Sequence, residues 1–302
     1  MAGVLHLLTG PTAVGKTAWA IRWAQANHAE IVSCDSLLFY RGMDVGTAKP
    51  TRHEQALVPH HLIDVCEVHQ RVTVVDYVAW ARQAVEAIEA RGRAVLVVGG
   101  SGFYLKGFFG PIRDDVEVPE TLRREVEQRL AAEGLPAVVA ELRRLNPQGL
   151  GTLDLANPRR VVRALERCLA SGRTLMDLAL AFSRLPGPFD AWERRVTCLE
   201  CEPGLLRQRV ELRVRAMLED GLVDEVARLR EAGLETNPSA AGAIGYRETL
   251  AVLRGQAERA GLEQEIVRST QALIKKQRTW FRTQLPAHRT VRVEQAEVAS
   301  LF

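Results

Sequence analysis

The sequence predicts an α/β fold, a parallel sheet flanked by helices and carrying a helical insertion, and three observations predict it. Short runs that are apolar throughout alternate with amphipathic helical stretches over roughly the first hundred residues. Between 111 and 190 the character changes to Arg/Glu/Ala/Leu-rich helical segments punctuated by Pro and Gly. From 191 an apolar run returns and further helical stretches follow. The expected parts are therefore a first portion of an α/β core at 1–110, a helical insertion domain at 111–190 and the rest of the core at 191–302.

Val4–Leu8 is an apolar run that ends in Thr9-Gly10-Pro11, and helical spacing begins at Lys16, so the chain opens as strand, loop, helix. Glu30–Cys34 reads as a second strand and stops at Asp35. From Asp35 to His61 there is no clear period, and Gly42, Gly46, Pro50 and Pro59 interrupt it. So long an irregular connection inside a compact domain is usually functional or mobile. Helical periodicity resumes over Val74–Ala90, and Ala94–Val98 is an uninterrupted strand stopped by Gly99 and Gly100. Breaks inside the insertion fall at Gly134-Leu135-Pro136, Asn146-Pro147, Asn157-Pro158 and Leu185–Pro188. Arg195–Leu199 returns as a strand, with helices at about 203–232, 243–255 and 262–282. Function in such a sheet is expected at the carboxyl ends of the strands.

The 302 residues, 47% apolar and 25% charged, can bury a substantial core, which excludes disorder. No uncharged run approaches the ~20 residues of a membrane span, and the N-terminus lacks a basic n-region, so a cytoplasmic protein is expected. Five cysteines (34, 66, 168, 198, 201) suit reduced thiols better than a disulfide framework. The net charge is only +3, but Ile266–Val293 holds seven Lys/Arg and no carboxylate. That stretch is either a solvated helix face or a surface that tracks nucleic-acid phosphates.

Gly10-Pro11-Thr12-Ala13-Val14-Gly15-Lys16-Thr17 fits G-x-x-x-x-G-K-[ST] between a strand and a helix, which makes the sheet P-loop NTPase-like. Its glycines let backbone N–H groups converge on phosphate oxygens, the helix N-terminus adds positive potential, and Lys16 neutralises a terminal phosphate. Thr17 is then placed to ligate Mg²⁺. ATP and simple diphosphates present the same oxygens, so the loop alone does not choose between them. Asp35, ending a buried strand beside that loop, suits a magnesium-holding carboxylate or a general base. The Ala94–Val98 strand ends instead in Gly99-Gly100-Ser101, without an acid. To this point the residues describe a P-loop enzyme, and a nucleotide or small-molecule kinase stays open as an alternative. A non-catalytic RNA-binding protein is a third class.

The remaining blocks go further: Asp35-Ser36, Tyr40–Pro50, Pro59–Asp64, Gly99–Tyr104, Arg160–Glu166, Gly221–Val226, Ala243–Glu248 and Lys276–Arg282. Together with the phosphate loop they resemble the bacterial tRNA dimethylallyltransferases, also called tRNA isopentenyltransferases, in the family's order over nearly the whole chain. The resemblance implies transfer of a dimethylallyl group from dimethylallyl diphosphate to N6 of the adenine 3′ of the anticodon, in tRNAs reading codons that begin with U. On this reading the phosphate loop holds a leaving diphosphate with Mg²⁺, and charge gathers there as the C1–O bond breaks. Adenine N6 is a poor nucleophile, and Asp35 is expected to take its proton. By the same resemblance Ser101 stands where a threonine hydroxyl lies near the diphosphate, and Arg213 binds the diphosphate as well.

An adenine in a stacked loop has to be turned out of the stack to react, so base flipping is expected. The resemblance implies tRNA contacts at Asp35, Ser36, Leu37 and Leu38, at Ser101 and Arg123, and at Arg159, Arg160, Val161, Val162 and Arg163. It extends them to Gly242, Ala243, Ile244, Gly245, Tyr246 and Arg247, and to Lys275, Lys276, Gln277, Arg278, Thr279, Trp280, Phe281 and Arg282. The last segment coincides with the acid-free basic stretch. A monomer is expected. Leu38 stands where many relatives have Gln, which removes a hydrogen bond to a base, and no role is assigned within 145–156.

Some features stay open at this level. Cys198 and Cys201 are either structural or metal-binding. His60 and His61 pack, contact tRNA or ligate. Trp280 and Phe281 stack on a base or pack, Phe103 and Tyr104 are candidate walls of a prenyl pocket, and Trp19 and Trp23 read as core.

Overall fold

Among the described residues six parallel strands form one sheet; from edge to edge they are β3 (His60–His61), β2 (Ala29–Ser33), β4 (Ala94–Val98), β1 (Val4–Thr9), β5 (Glu193–Glu200) and β6 (Arg289–Arg292). The computed structural model describes residues 3–295 and 297–302. In the central strand Leu5, Leu7 and Leu8 are fully buried, because helices cover both faces of the sheet. Each such leucine contributes about 1.5–3 kcal/mol by leaving water. Register decides where chemistry can occur: Leu8 pairs with Val98, Thr9 with Cys198 and Ser33 with Val98, so the segments after β1, β2 and β4 leave the sheet at one level.

The chain divides into two compact units, Met1–Phe109 with Pro188–Phe302, and Gly110–Gly187. In the first, α1 (Lys16–Ala26) buries Trp19, Ala20, Ile21, Trp23 and Ala24, so the two tryptophans are core. Next come α2 (Arg52–Leu57), α3 (Val74–Ala90) and α4 (Gly102–Leu105). A capping box starts α3, where Thr73 and Asp76 satisfy each other's backbone N–H, and Tyr77, Val78, Ala81, Ala84, Val85 and Ile88 form its buried stripe.

The second unit holds α5 (Glu120–Leu145), α6 (Pro158–Ser171) and α7 (Leu175–Ser183). Gly134, at φ +79°, divides α5 into two helical parts just before Pro136. Val126, Val138, Leu142, Val161, Leu165, Cys168 and Leu178 form this unit's own core. The buried Asn146 joins α5 to the start of α7, its Nδ2 donating to Leu142 O and its Oδ1 accepting from Leu175 N.

Back in the first unit, α8 (Pro203–Glu219), α9 (Leu222–Glu231), α10 (Pro238–Ala241), α11 (Tyr246–Leu253) and α12 (Leu262–Gln284) complete the helices. The single helix expected at 203–232 is two, because Gly221 takes φ +90° between α8 and α9. The connection read as irregular contains α2, announced by a Thr51/Glu54 capping box. Strand β6 was not expected: only Val291 of its four residues is buried and two are arginines. No helix among the described residues is long and apolar enough to cross a membrane.

Candidate functional site

The phosphate loop leaves β1 at Thr9 and turns through three left-handed residues, Gly10 (φ +148°), Ala13 (φ +62°) and Gly15 (φ +100°), into the first turn of α1. A Cβ at Gly10 would lie 2.6 Å from the Leu199 carbonyl oxygen, so β5 approaches too closely for any side chain there. Ala13 holds a conformation that only surrounding structure maintains, as is common where backbone N–H groups are aimed at a ligand. Lys16 Nζ folds back to donate to Gly10 O and Pro11 O, both at 2.9 Å. Burial pulls its ammonium down to about 8, with the Asp35 carboxylate opposing and the Arg213 guanidinium adding to the shift.

Asp35 follows β2 by two residues, and its Oδ1 accepts from Leu37 N at 3.0 Å. Burial raises its carboxyl above the ordinary range, against the pull of the Leu37 N–H, Lys16 and Arg213. The group is thus a desolvated carboxyl beside two cations. What holds it there is backbone: Cys34 N donates to Val98 O at 2.7 Å, and a Cβ on Gly99 would lie 1.8 Å from Cys34 O. Ser101, at the N-terminus of α4, belongs to the same turn. Position 100 faces the phosphate loop, since a Cβ there would be 3.1 Å from Gly10 O and 3.4 Å from Lys16 Nζ.

Helices α8 and α12 close the arrangement. Arg213 Nη1 donates to Thr12 Oγ1 at 3.3 Å, and burial lowers its guanidinium, opposed by Asp35. Gln277 accepts from Thr12 N at 2.9 Å and donates to Gly100 O at 3.0 Å, so one carboxamide joins the phosphate loop to the turn that carries Ser101. Trp280, one turn on, lies against Gly102, where a Cβ would come within 2.4 Å of the indole. The phosphate loop, Asp35, Ser101, Arg213 and Gln277 are therefore neighbours around the strand ends.

Sequence reasoning missed Arg209, whose Nη1 donates to Val14 O at 3.0 Å. It stands four residues before Arg213 on α8 and so shares its face; that spacing was the available signal. It also missed Glu225, which accepts from the backbone N–H of Asp44, Val45 and Gly46.

Among the described residues no group of three or more His, Cys, Asp or Glu could hold a metal ion by itself. Thr17 borders an open cavity of about 710 Å³ together with Asp44, Asp64, Arg213 and Asp220. A threonine hydroxyl beside phosphate oxygens is the hard, sparse donor set that suits Mg²⁺, which keeps several waters. The residues fit that ion.

Of the expected RNA contacts in the first unit, Arg247, Lys275, Lys276, Arg278, Thr279 and Arg282 are exposed, while Ser36, Leu37, Leu38 and Ile244 are partly so. In the second unit Arg123, Arg159, Arg160 and Arg163 are exposed and Val162 is partly so. Four of the expected contacts have buried side chains, Ala243 in a turn and three others on helices. Val161, Tyr246 and Phe281 are buried, because helical periodicity turns them toward their own cores. Tyr246 gives its hydroxyl to Glu225 at 2.6 Å. Tyr104 is buried against Tyr77 and Phe39, while Phe103 is 65% exposed.

Cys198 and Cys201 are buried free thiols, pushed up by burial to about 12 and about 11. His61 Nε2 pairs with Glu30 at 2.7 Å, and Arg91 holds the same carboxylate, which makes this histidine part of a packed ion cluster.

The model of a protein family described as IPP transferase matches residues 38–284. The chain is 64% identical to a tRNA dimethylallyltransferase of Opitutus terrae over 287 residues, which are 95% of this chain and 92% of that one. It is 41% identical to a tRNA dimethylallyltransferase of Deinococcus radiodurans, again over 95% and 92% of the two chains. Among solved structures it is similar to the full-length tRNA isopentenylpyrophosphate transferase of Bacillus halodurans, with a TM-score of 0.70 at 31% identity over 96% of this chain and 89% of that one.

Proposed function

The chain belongs to the IPP transferase family, and from that premise we infer that it carries a dimethylallyl group from dimethylallyl diphosphate to tRNA. The acceptor is N6 of the adenine 3′ of the anticodon in tRNAs that read codons beginning with U, and the product is N6-dimethylallyladenosine. The chain acts in the cytoplasm as a monomer.

The observation that carries this reading is a phosphate loop beside one desolvated carboxyl, Asp35, with no second acid after β4. A leaving diphosphate has to be held and neutralised, and no phosphoryl group has to be moved. As the C1–O bond of the donor breaks, charge gathers on the diphosphate, where Lys16, Arg213 and the loop N–H groups stabilise it. The Ser101 hydroxyl donates to the same group. The N6–C1 bond forms while Asp35 takes the N6 proton, so diphosphate departs and a secondary amine remains. A carboxyl raised by burial is a stronger base than an exposed one, and the two cations oppose that rise by favouring the ionised form.

Thr17 would hold Mg²⁺ together with diphosphate oxygens. The ion supplies further neutralisation of the leaving group.

For RNA the basic face of α12 offers Lys275, Lys276 and Arg282, and the exposed arginines of α6 offer a second set of cations. Affinity from such charges resides in phosphate contacts and falls with salt. The test is to incubate the purified chain with labelled dimethylallyl diphosphate and tRNA in the absence of nucleoside triphosphate. Label is expected in RNA, at the adenine next to the anticodon. Consumption of ATP with no label transferred would return the kinase reading to first place.

A further inference from the structure

The segment that follows Asp35 forms one wall of the 710 Å³ cavity: Asp44, Val45, Ala48 and Lys49 lie on it, with Thr17 and Arg213 also lining the space. Turns within this connection satisfy some of its backbone N–H groups, such as Ala48 N on Val45 O and Lys49 N on Asp44 O, and any left buried without a partner is costly. The structure satisfies three of them with one side chain. Glu225, 2% exposed on the first turns of α9, accepts from Asp44 N at 3.0 Å and Val45 N at 2.7 Å through Oε2. Its Oε1 accepts from Gly46 N at 3.2 Å and from the Tyr246 hydroxyl at 2.6 Å. Two carboxylate oxygens with four donors are fully engaged. The Tyr246 ring lies where a side chain at position 46 would be, 2.5 Å from a Cβ built there, so the absence of a side chain at Gly46 lets the wall close down on Glu225.

We infer that Glu225, acting through the Asp44–Gly46 backbone, is a positioning residue that sets the donor-side wall of the site, with Tyr246 and Gly46 as its supports. The inference rests on the prenyl-transfer reading for the identity of the donor. Glu225 touches no reacting atom. Its effect is to fix the distance between the wall and the Thr17/Arg213 side of the cavity, and therefore how well the donor is enclosed before reaction. A wall that gives way weakens donor binding more than it slows a bond-making step carried out at Asp35.

The test uses the full chain with dimethylallyl diphosphate as donor and an anticodon stem-loop as acceptor. Glu225→Gln puts an amide N–H₂ against backbone donors, and Gly46→Ala forces the wall away from the Tyr246 ring while leaving the carboxylate in place. Both are expected to raise the donor KM about fivefold or more, with kcat and the RNA KM changed less than about twofold. Folded variants with an unaltered donor KM, or with kcat and both KM values shifted alike, overturn the proposal. Amide exchange in the unmutated chain judges it even if neither variant folds: Asp44, Val45 and Gly46 are expected to exchange at least about 100-fold slower than free amides, and exchange at the free rate overturns it. If the unmutated chain transfers no prenyl group, the functional reading fails, while the exchange result still stands or falls by itself.

Discussion

The Gln277 carboxamide accepts the Thr12 backbone N–H at 2.9 Å, and through it the helix that carries the basic stretch is fastened to the phosphate loop. Its other end holds Gly100 O at 3.0 Å. Gln277→Leu keeps the shape and removes both bonds. At roughly 0.5–1.5 kcal/mol each, their loss is expected to raise the donor KM by about tenfold in steady-state assays, with RNA affinity little changed. A larger loss in RNA affinity than in donor KM would mean that the side chain serves the acceptor.

Asp35 and Lys16 are both displaced by burial, in directions that set the pH range of the reaction. A base has to be deprotonated, so turnover falls as pH drops through the raised Asp35 pKa, at a higher pH than an exposed carboxyl would give. At the other end Lys16 loses its proton as pH rises through about 8, and kcat/KM for the donor falls there. Bound diphosphate favours the ammonium, so the corresponding limb of kcat lies at higher pH. Profiles of kcat and kcat/KM against pH check both limbs. Asp35→Asn is expected to lower kcat by about 10²–10⁴-fold while the RNA Kd is retained.

Lys275 and Lys276 stand exposed on α12 within a run that has no carboxylate. Reversing either charge is expected to weaken binding of an anticodon stem-loop and to reduce the slope of log K against log salt by about one. Titrations at several salt concentrations read this directly, and an unchanged slope would place the RNA backbone elsewhere.

Gly99→Ala puts a methyl group 1.8 Å from the Cys34 carbonyl oxygen, on backbone that is itself bonded to Val98. The expected cost is about 1–3 kcal/mol, seen as a lower denaturant midpoint with unchanged slope. Gly110→Ala meets nothing within 4 Å and serves as the control.

Much of the first unit's framework is written in local pattern. β1, β2, β4 and β5 are apolar runs between turn residues, and α3 carries its own capping box, so period and punctuation suffice to find them. β6 escapes because an edge strand with one inward valine between arginines has no period to read. The phosphate loop and Asp35 were legible since the chemistry needs those residue types at strand ends. Arg209, Glu225 and the bridging role of Gln277 were not, because each depends on which backbone group folding brings to it, over separations of 195, 179 and 265 residues. Tyr246 and Phe281 show the converse: both lie in segments expected to contact RNA, and both side chains are buried.

The clasp between Thr12 and Gln277 also gives the site a timetable. A ribosome has to add 265 residues after the first partner before it makes the second, roughly 15–50 s of synthesis at ordinary rates. Throughout that interval a nascent chain owns its phosphate loop without the brace that seats it, so donor capture matures only as the final long helix docks.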